Sequence, residues 1–405
     1  MPKAVAIDGG IVAFIYAPTR KRPVAGISIP LRIPPDAHDL HFSRSLSKVF
    51  NQDIGLCMKS PASDELWTTL ARSRFVRAIA RFLPFQSHPA SDWIHTMEAS
   101  TTLTYEGTHS HHSIIFCKNY PRTVQSLGSR VVEFHDSLSI SDALLGEKWV
   151  RAVVDSRRVA LIATKRGGGS VRGLVSFSAL PRDLPTHAYA PHESLIYLQA
   201  FLTTGDMALV AAPSGDILII LGNGIVFQRT QGRWHYLNYL IAHNALRSKL
   251  SHRVAIAVLR AALDLSFERA GALLCIPDRR DYLPALVSDH ASADRANRIL
   301  RESLRGLNIT KWKERQVITA AATTDGSTIM SRQGRLLDIA CMVAKPSPDR
   351  LLRVTGSREG RTFPGARSTA AWNASIYGVA LKISEDGPIT IYYHGKEIHR
   401  LGGGR

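Results

Sequence analysis

The sequence predicts an α/β (α+β) protein in two parts. Residues 1–245 read as a mainly antiparallel α+β region, and residues 253–400 as a layered domain with a mixed central sheet flanked by helices. Three observations predict this. Strand-like runs separated by glycine turns dominate residues 150–240. From Arg253 onward, helical periodicity alternates with short apolar runs, the pattern of a layered α/β domain. The chain has 405 residues, whereas single cores usually stop growing near about 250–300 residues. An apolar share of 45% against 21% charged residues is ordinary globular composition, so both parts have material for a core.

In chain order, the first ninety residues mix Pro-rich extended sequence with one helix, DELWTTLARSRFVRAIARFL. Leu66, Leu70, Phe75, Ile79 and Phe82 form its apolar stripe, and a subdivision is expected near residue 90. VRAVVDSRRVALIAT and LVSFSAL read as strands on either side of the glycine-rich turn KRGGGSVRG. ALVAAPSGDILIILGNGIVFQRTQGRWHYL repeats the plan, with turns at Ser214-Gly215, Gly222-Asn223-Gly224 and Gln231-Gly232. The polar stretch around 241–253 marks the boundary. Beyond it, RVAIAVLRAALDLSFERA places Val254, Val258, Ala261 and Leu265 on one helical face, and GALLCIP reads as a buried strand. ASADRANRILRESLRGL reads as an amphipathic helix buried at Ile299, Leu300 and Leu304. RLLDIACMV follows as a strand, STAAWNASIY as a short helix, and VALKIS and ITIYYHG as strands joined by Glu385-Asp386-Gly387-Pro388.

The formal charge of +18 favours polyanionic partners such as nucleotides, nucleic acid or anionic lipid. Residues 246–405 carry 26 Lys and Arg against 15 Asp and Glu, and residues 1–245 carry 25 against 18, so the excess is denser at the C-terminal end. No run of five or six like charges marks a nucleic-acid-binding tail, so nucleic acid is a partner class that the charge allows and no motif indicates. Cys57, Cys117, Cys275 and Cys341 are scattered without a CxxC pair, which fits neither a zinc ribbon nor a disulfide framework. The N-terminal apolar stretch is too short and too broken for a secretory signal, and no run of about eighteen apolar residues reads as a membrane span. The expectation is a cytoplasmic protein with no membrane partner.

Three clusters bear on chemistry. In THSHH, strand alternation would put His109 and His111 on one side like a metal pair. No HExxH or paired cysteine accompanies them, so a polar strand or loop is the favoured reading. KRGGGSVRG lacks P-loop spacing and is flanked by strands, which favours a hairpin turn. The third cluster combines Asp325-Gly326-Ser327 at a turn entering a strand, Gly365-Ala366-Arg367-Ser368-Thr369 before a helix, and Ser384-Glu385 ending a strand. Singly these are a turn, an N-cap with Ser368 or Thr369 capping the first turn, and a hairpin. A glycine, an arginine and two hydroxyls ahead of a helix also make an anion-binding arrangement.

In order and spacing, residues 254–398 resemble the diadenylate cyclase domain, which joins two ATP molecules into cyclic di-AMP with release of pyrophosphate. GALLCIP is similar to that family's early core strand, ATTDGSTIM with RLLDIACMV to its DGA motif and next strand, PGARSTAA to its GTRHRAA, and SEDGPITIYYHGKEI to its closing hairpin. The resemblance implies three catalytic residues. Asp325 would lie near the attacking 3′-hydroxyl and a metal, Arg367 would hold phosphates, and Glu385 would help place a divalent Mg or Mn ion. It also implies nucleotide binding by Gly326, Ser327, Gly365, Ala366, Ser368, Thr369 and Ser384, metal binding by Asp325 and Glu385, and homo-oligomerisation, because two ATP-bearing domains must face each other. Ser368 and Thr369 stand where the family has His and Arg, and Thr324 where one branch has His. By the same resemblance residues 1–245 would sense a signal and regulate the cyclase. A second expectation is a catalytically silent module that senses ATP or a cyclic dinucleotide.

Overall fold

The computed structural model describes residues 4–7, 10–16, 23–30, 37–59, 63–83, 89–109, 111–127, 130–155, 158–164, 169–177, 190–192, 195, 198, 202, 205–212, 215–230, 232–288 and 295–402. The chain divides into two units, residues 1–184 with 197–236, and residues 185–196 with 237–405. The α/β class predicted from the sequence holds, with helices packed on two mixed sheets.

The first unit opens with an antiparallel three-stranded sheet of β1 (Ala4–Ile7), β2 (Gly10–Tyr16) and β3 (Pro23–Pro30). Helices α1 (Ala37–Cys57), α2 (Ser63–Phe82) and α3 (Pro89–Ser100) follow. Helix α1 escapes periodicity because serines occupy its inner face. Ser43 and Ser45 are buried, and their hydroxyls donate to the carbonyls of Asp39 and His41 one turn back. Asp53 is fully buried between α1 and α2, where Arg74 (2.8 Å) and Arg77 (2.7 Å) neutralise it.

After the short strands β4 (Thr104–Tyr105) and β5 (Thr108–His109), the unit is an eight-stranded sheet. Its strands are β6 (His112–Cys117), β7 (Val131–Ser139), β8 (Val159–Thr164), β9 (Ser170–Ser176), β10 (Met207–Ala211), β11 (Ile217–Leu221), β12 (Ile225–Thr230) and β13 (Arg233–Asn238). Their order is β13-β12-β11-β10-β6-β8-β9-β7, and β6 and β8 run parallel. Strands β10 to β13 are the expected meander, and Gly215, Gly224 and Gly232 supply the positive φ that its turns require. Among the described residues, α4 (Tyr120–Leu127), a π-helical turn (Asp142–Gly146) and α5 (Lys148–Val153) lie between strands of the sheet. The VRAVV stretch read as a strand therefore ends a helix, and only VALIAT pairs in the sheet. Tertiary pairing decides such β-branched runs.

His112 lies in the core of this unit, with Nε2 2.8 Å from the Ser100 hydroxyl and Nδ1 without a partner. Burial, then His111 and Arg151, push its pKa down to about 4. An unfolded chain takes up the proton near pH 6.5 and the folded chain near pH 4, so stability falls as pH drops between those values, by about 3 kcal/mol in full. His399 of the second unit, pushed down to about 4 by burial, adds a loss in the same window. Thermal melting followed across that pH range should show this slope, reduced in a His112→Asn variant.

The second unit begins with α6 (Tyr239–Arg247) and α7 (His252–Phe267). Helix α7 is buried nearly all round, from Val254 to Leu265, rather than on the single predicted face. Apolar residues occupy most of its circumference, with Asp264 buried among them, and it contacts β17 and β18 as well as α6 and a further helix of the unit. The remaining strands are β14 (Ala272–Pro277), β15 (Ser327–Met330), β16 (Leu336–Cys341), β17 (Gly378–Ile383), β18 (Ile389–Tyr393) and β19 (Lys396–Leu401). They form a six-stranded sheet in the order β16-β15-β14-β17-β18-β19, in which only β14 and β15 are parallel.

The other helices of this unit are α8 (Leu283–Leu286), α9 (Arg295–Leu304), α10 (Trp312–Ala321), α11 (Pro348–Thr355) and α12 (Ala366–Ser375). On the face opposite α7, Leu273, Cys275, Ile329, Ala380 and Tyr392 pack with Ala371, Trp372 and Ala374 of α12. Helix α9 departs from expectation, because Ile299 is 65% exposed. Arg301 holds it instead, donating two 2.6 Å bonds to the carboxylate of Asp338 on β16.

Candidate functional site

Asp325 and Gly326 form the turn that enters β15. Gly326 has φ +106°, and a Cβ there would lie 2.7 Å from the Ala340 carbonyl carbon and 2.8 Å from Cys341 N, so the position requires glycine. Strand β16 bulges opposite this turn. Ser327 pairs with Cys341 and Ile329 with Asp338, which leaves one extra residue on β16, and Ala340 adopts φ +55°. A left-handed alanine stores strain of about 1–3 kcal/mol beside the Asp325 turn. The buried hydroxyl of Ser327 donates to the Cys341 carbonyl at 2.9 Å and ties turn to bulge. Asp325 itself stands exposed.

Helix α12 starts at Ala366, with Gly365 (φ +96°) as its N-cap and no side chain capping it. The predicted cap by Ser368 or Thr369 is not made. The Thr369 hydroxyl instead accepts from the Phe363 N–H at 3.0 Å and donates to the Phe363 carbonyl at 3.3 Å, pinning the loop that leads into the helix. Ser368 is buried. The first-turn N–H groups of α12 thus have no capping side chain at Gly365 and carry the positive end of the helix dipole.

The third segment is the β17–β18 hairpin. The Ser384 N–H donates to the Pro388 carbonyl, and Glu385 projects from the turn to meet Arg367, with Nη1 3.2 Å from Oε1. Gly271, just before β14, lies beneath this pair, and a side chain there would collide with Arg367 Nη1 and Glu385 Oε1. Gly271→Ala should separate the pair with little change in melting temperature, since an exposed ion pair is worth under about 1 kcal/mol.

The sheet register brings the three segments to one cavity of about 1120 Å³. Asp325, Gly326 and Ser327 line one side, Gly365, Ala366, Arg367, Ser368 and Thr369 another, and Ser384 and Glu385 a third. All ten residues placed by the resemblance in the nucleotide site therefore share one cavity, slightly larger than the usual range for small-molecule sites.

No protein-family model matches the chain, and no curated protein matches it.

The cavity also takes residues that the sequence reading passed over, among them Leu273, Phe363, Asn373 and Lys382. Lys382 had a signal: in VALKIS it is an amine within an apolar strand, two residues from Ala380 and on the same face. The arginines of the loop ahead of α12, Arg358 and Arg361, are not among the residues that line the cavity, and Arg358 lies 3.8 Å from Asp349. Of the other two clusters, the His109 side chain and residues 165–168 lie outside the described residues, while β8 and β9 pair as the expected hairpin. Among the described residues no three His, Cys, Asp or Glu side chains are grouped to hold a metal, and no helix is long and apolar enough to cross a membrane. The cysteines are free thiols, and burial pushes Cys275 and Cys341 up to about 12.

Proposed function

We propose that the second unit is a diadenylate cyclase-like nucleotidyltransferase that condenses two ATP molecules into cyclic di-AMP, regulated by the first unit. The observation that carries this reading is the convergence of Asp325, Arg367 and Glu385, from three distant segments, on one cavity of about 1120 Å³. Asp325 takes the proton of the ATP 3′-hydroxyl. The 3′ oxygen bonds to the α-phosphorus of a second ATP held by a facing copy of the chain, and the bond from that phosphorus to the pyrophosphate breaks. The reciprocal step closes the ring, which is why two copies must meet.

Charge grows on the phosphates and on the departing pyrophosphate, so donors must be placed beforehand. Arg367 supplies a fork, and the uncapped N–H groups of α12 supply the rest. Asp325 and Glu385, two of the carboxylates that line the cavity, would hold a Mg or Mn ion, a cation that takes one or two such ligands. Such an ion, when bound, neutralises phosphate charge. Triphosphate competing for Arg367 would release Glu385 to that ion.

Purified protein incubated with ATP and Mn²⁺ or Mg²⁺, with products identified by mass, tests the reading, and cyclic di-AMP with pyrophosphate is the expected result. A second reading, a silent nucleotide or cyclic-dinucleotide sensor, is favoured by the engaged Thr369 hydroxyl and the buried Ser368. It gives ATP binding without pyrophosphate release.

A further inference from the structure

We propose that Lys382 is the second phosphate-binding cation of this cavity, acting beside Arg367 on the polyphosphate of a nucleoside triphosphate where Ser368 and Thr369 leave the site short of charge. The inference rests on the reading that the cavity binds a nucleoside triphosphate, and it names a residue that the resemblance does not supply.

Lys382 of β17 pairs across the sheet with Leu273 of β14, and both line the cavity. The cations around it differ in one respect. Arg367 pairs with Glu385 at 3.2 Å, and Arg400 holds Glu397 through two bonds of 3.0 and 2.9 Å. The Lys382 amine makes no hydrogen bond or ion pair with any described residue. It is half-buried, and burial lowers its pKa. Arg400 and Arg367 lower it further, against the opposing pull of Asp386 and Glu397.

An ammonium group kept part-way out of water, bonded to no described residue and with the pull of Asp386 and Glu397 set against two guanidinium groups, gains by taking up an anion. An aliphatic side chain would pack the same place in VALKI at lower cost. Neither neighbouring hydroxyl replaces the amine. Thr369 is engaged with Phe363, and Ser368 is buried. Two cations of different shape then face the same space, Arg367 as a planar fork and Lys382 as a point charge, the combination suited to a chain of phosphates.

The test uses the full chain with Lys382→Met and Lys382→Arg, titrated separately with Mg-ATP and with adenosine, and melted without nucleotide. Lys382→Met should weaken ATP about tenfold or more, the worth of a charge-assisted bond, with adenosine affinity unchanged. Its melting temperature without nucleotide should equal or exceed that of the unaltered chain, whereas a lysine serving only structure would lower it on removal. Lys382→Arg should recover most of the ATP affinity. Unchanged ATP affinity in Lys382→Met, or equal losses for ATP and adenosine, overturns the role of Lys382 while leaving nucleotide binding standing. Failure of the unaltered chain to bind ATP at all overturns the nucleotide reading itself, and this inference with it.

Discussion

Asp325→Asn should reduce cyclic di-AMP formation by about 10²–10⁴-fold, the usual contribution of a positioned base, while ATP binding persists. The substitution keeps the shape of the side chain and removes its charge and its capacity to accept a proton. Asp325 is exposed, lines the cavity and makes no hydrogen bond or ion pair with any described residue, so the melting temperature should stay close to that of the unaltered chain. Product quantified by mass and ATP affinity by calorimetry separate the two effects. Unchanged turnover would remove Asp325 from the chemistry, and loss of binding equal to the loss of turnover would make it a binding residue only.

Gly326→Ala should destabilise the second unit by about 2–6 kcal/mol, a large fraction of the stability of a typical domain. Two costs add. An alanine at φ +106° is strained by about 1–3 kcal/mol, and its Cβ would press on the Ala340 carbonyl carbon and Cys341 N at under 3 Å, an overpacking cost of about 1–3 kcal/mol. The neighbouring atoms are backbone of the β16 bulge, held by the Ser327 hydroxyl, so they cannot turn aside as a side chain would. Denaturant unfolding measures the loss, and nucleotide titration should show that the Asp325 turn has moved too. A midpoint within error of the unaltered chain would mean that the bulge yields more easily than its geometry implies.

Much of this fold was legible because its signals are local. The meander from β10 to β13 is announced by glycine turns that need positive φ, and β14, β16, β17 and β18 by short apolar runs. Helix α1 was not legible, since its inward serines satisfy themselves one turn back and break the apolar stripe. VRAVV misled because β-branched residues favour a strand only where a partner strand exists. Ile299 misled because periodicity says which residues share a face of α9 and leaves open what covers it, which the Arg301–Asp338 bridge decides.

The candidate site divides the same way. By itself the sequence determined the three segments, from Asp325 to Ser327, Gly365 to Thr369 and Ser384 to Glu385, because each is a turn or helix start written in adjacent residues. Only the tertiary structure decided that they face one cavity, that Glu385 answers Arg367, that Thr369 is spent on Phe363, and that Lys382, whose amine bonds to no described residue, lines the same space. The reason is physical. Turn chemistry and side-chain period act over a few residues, whereas a cavity is made by strand order and register, which join positions more than a hundred residues apart, such as Leu273 and Lys382.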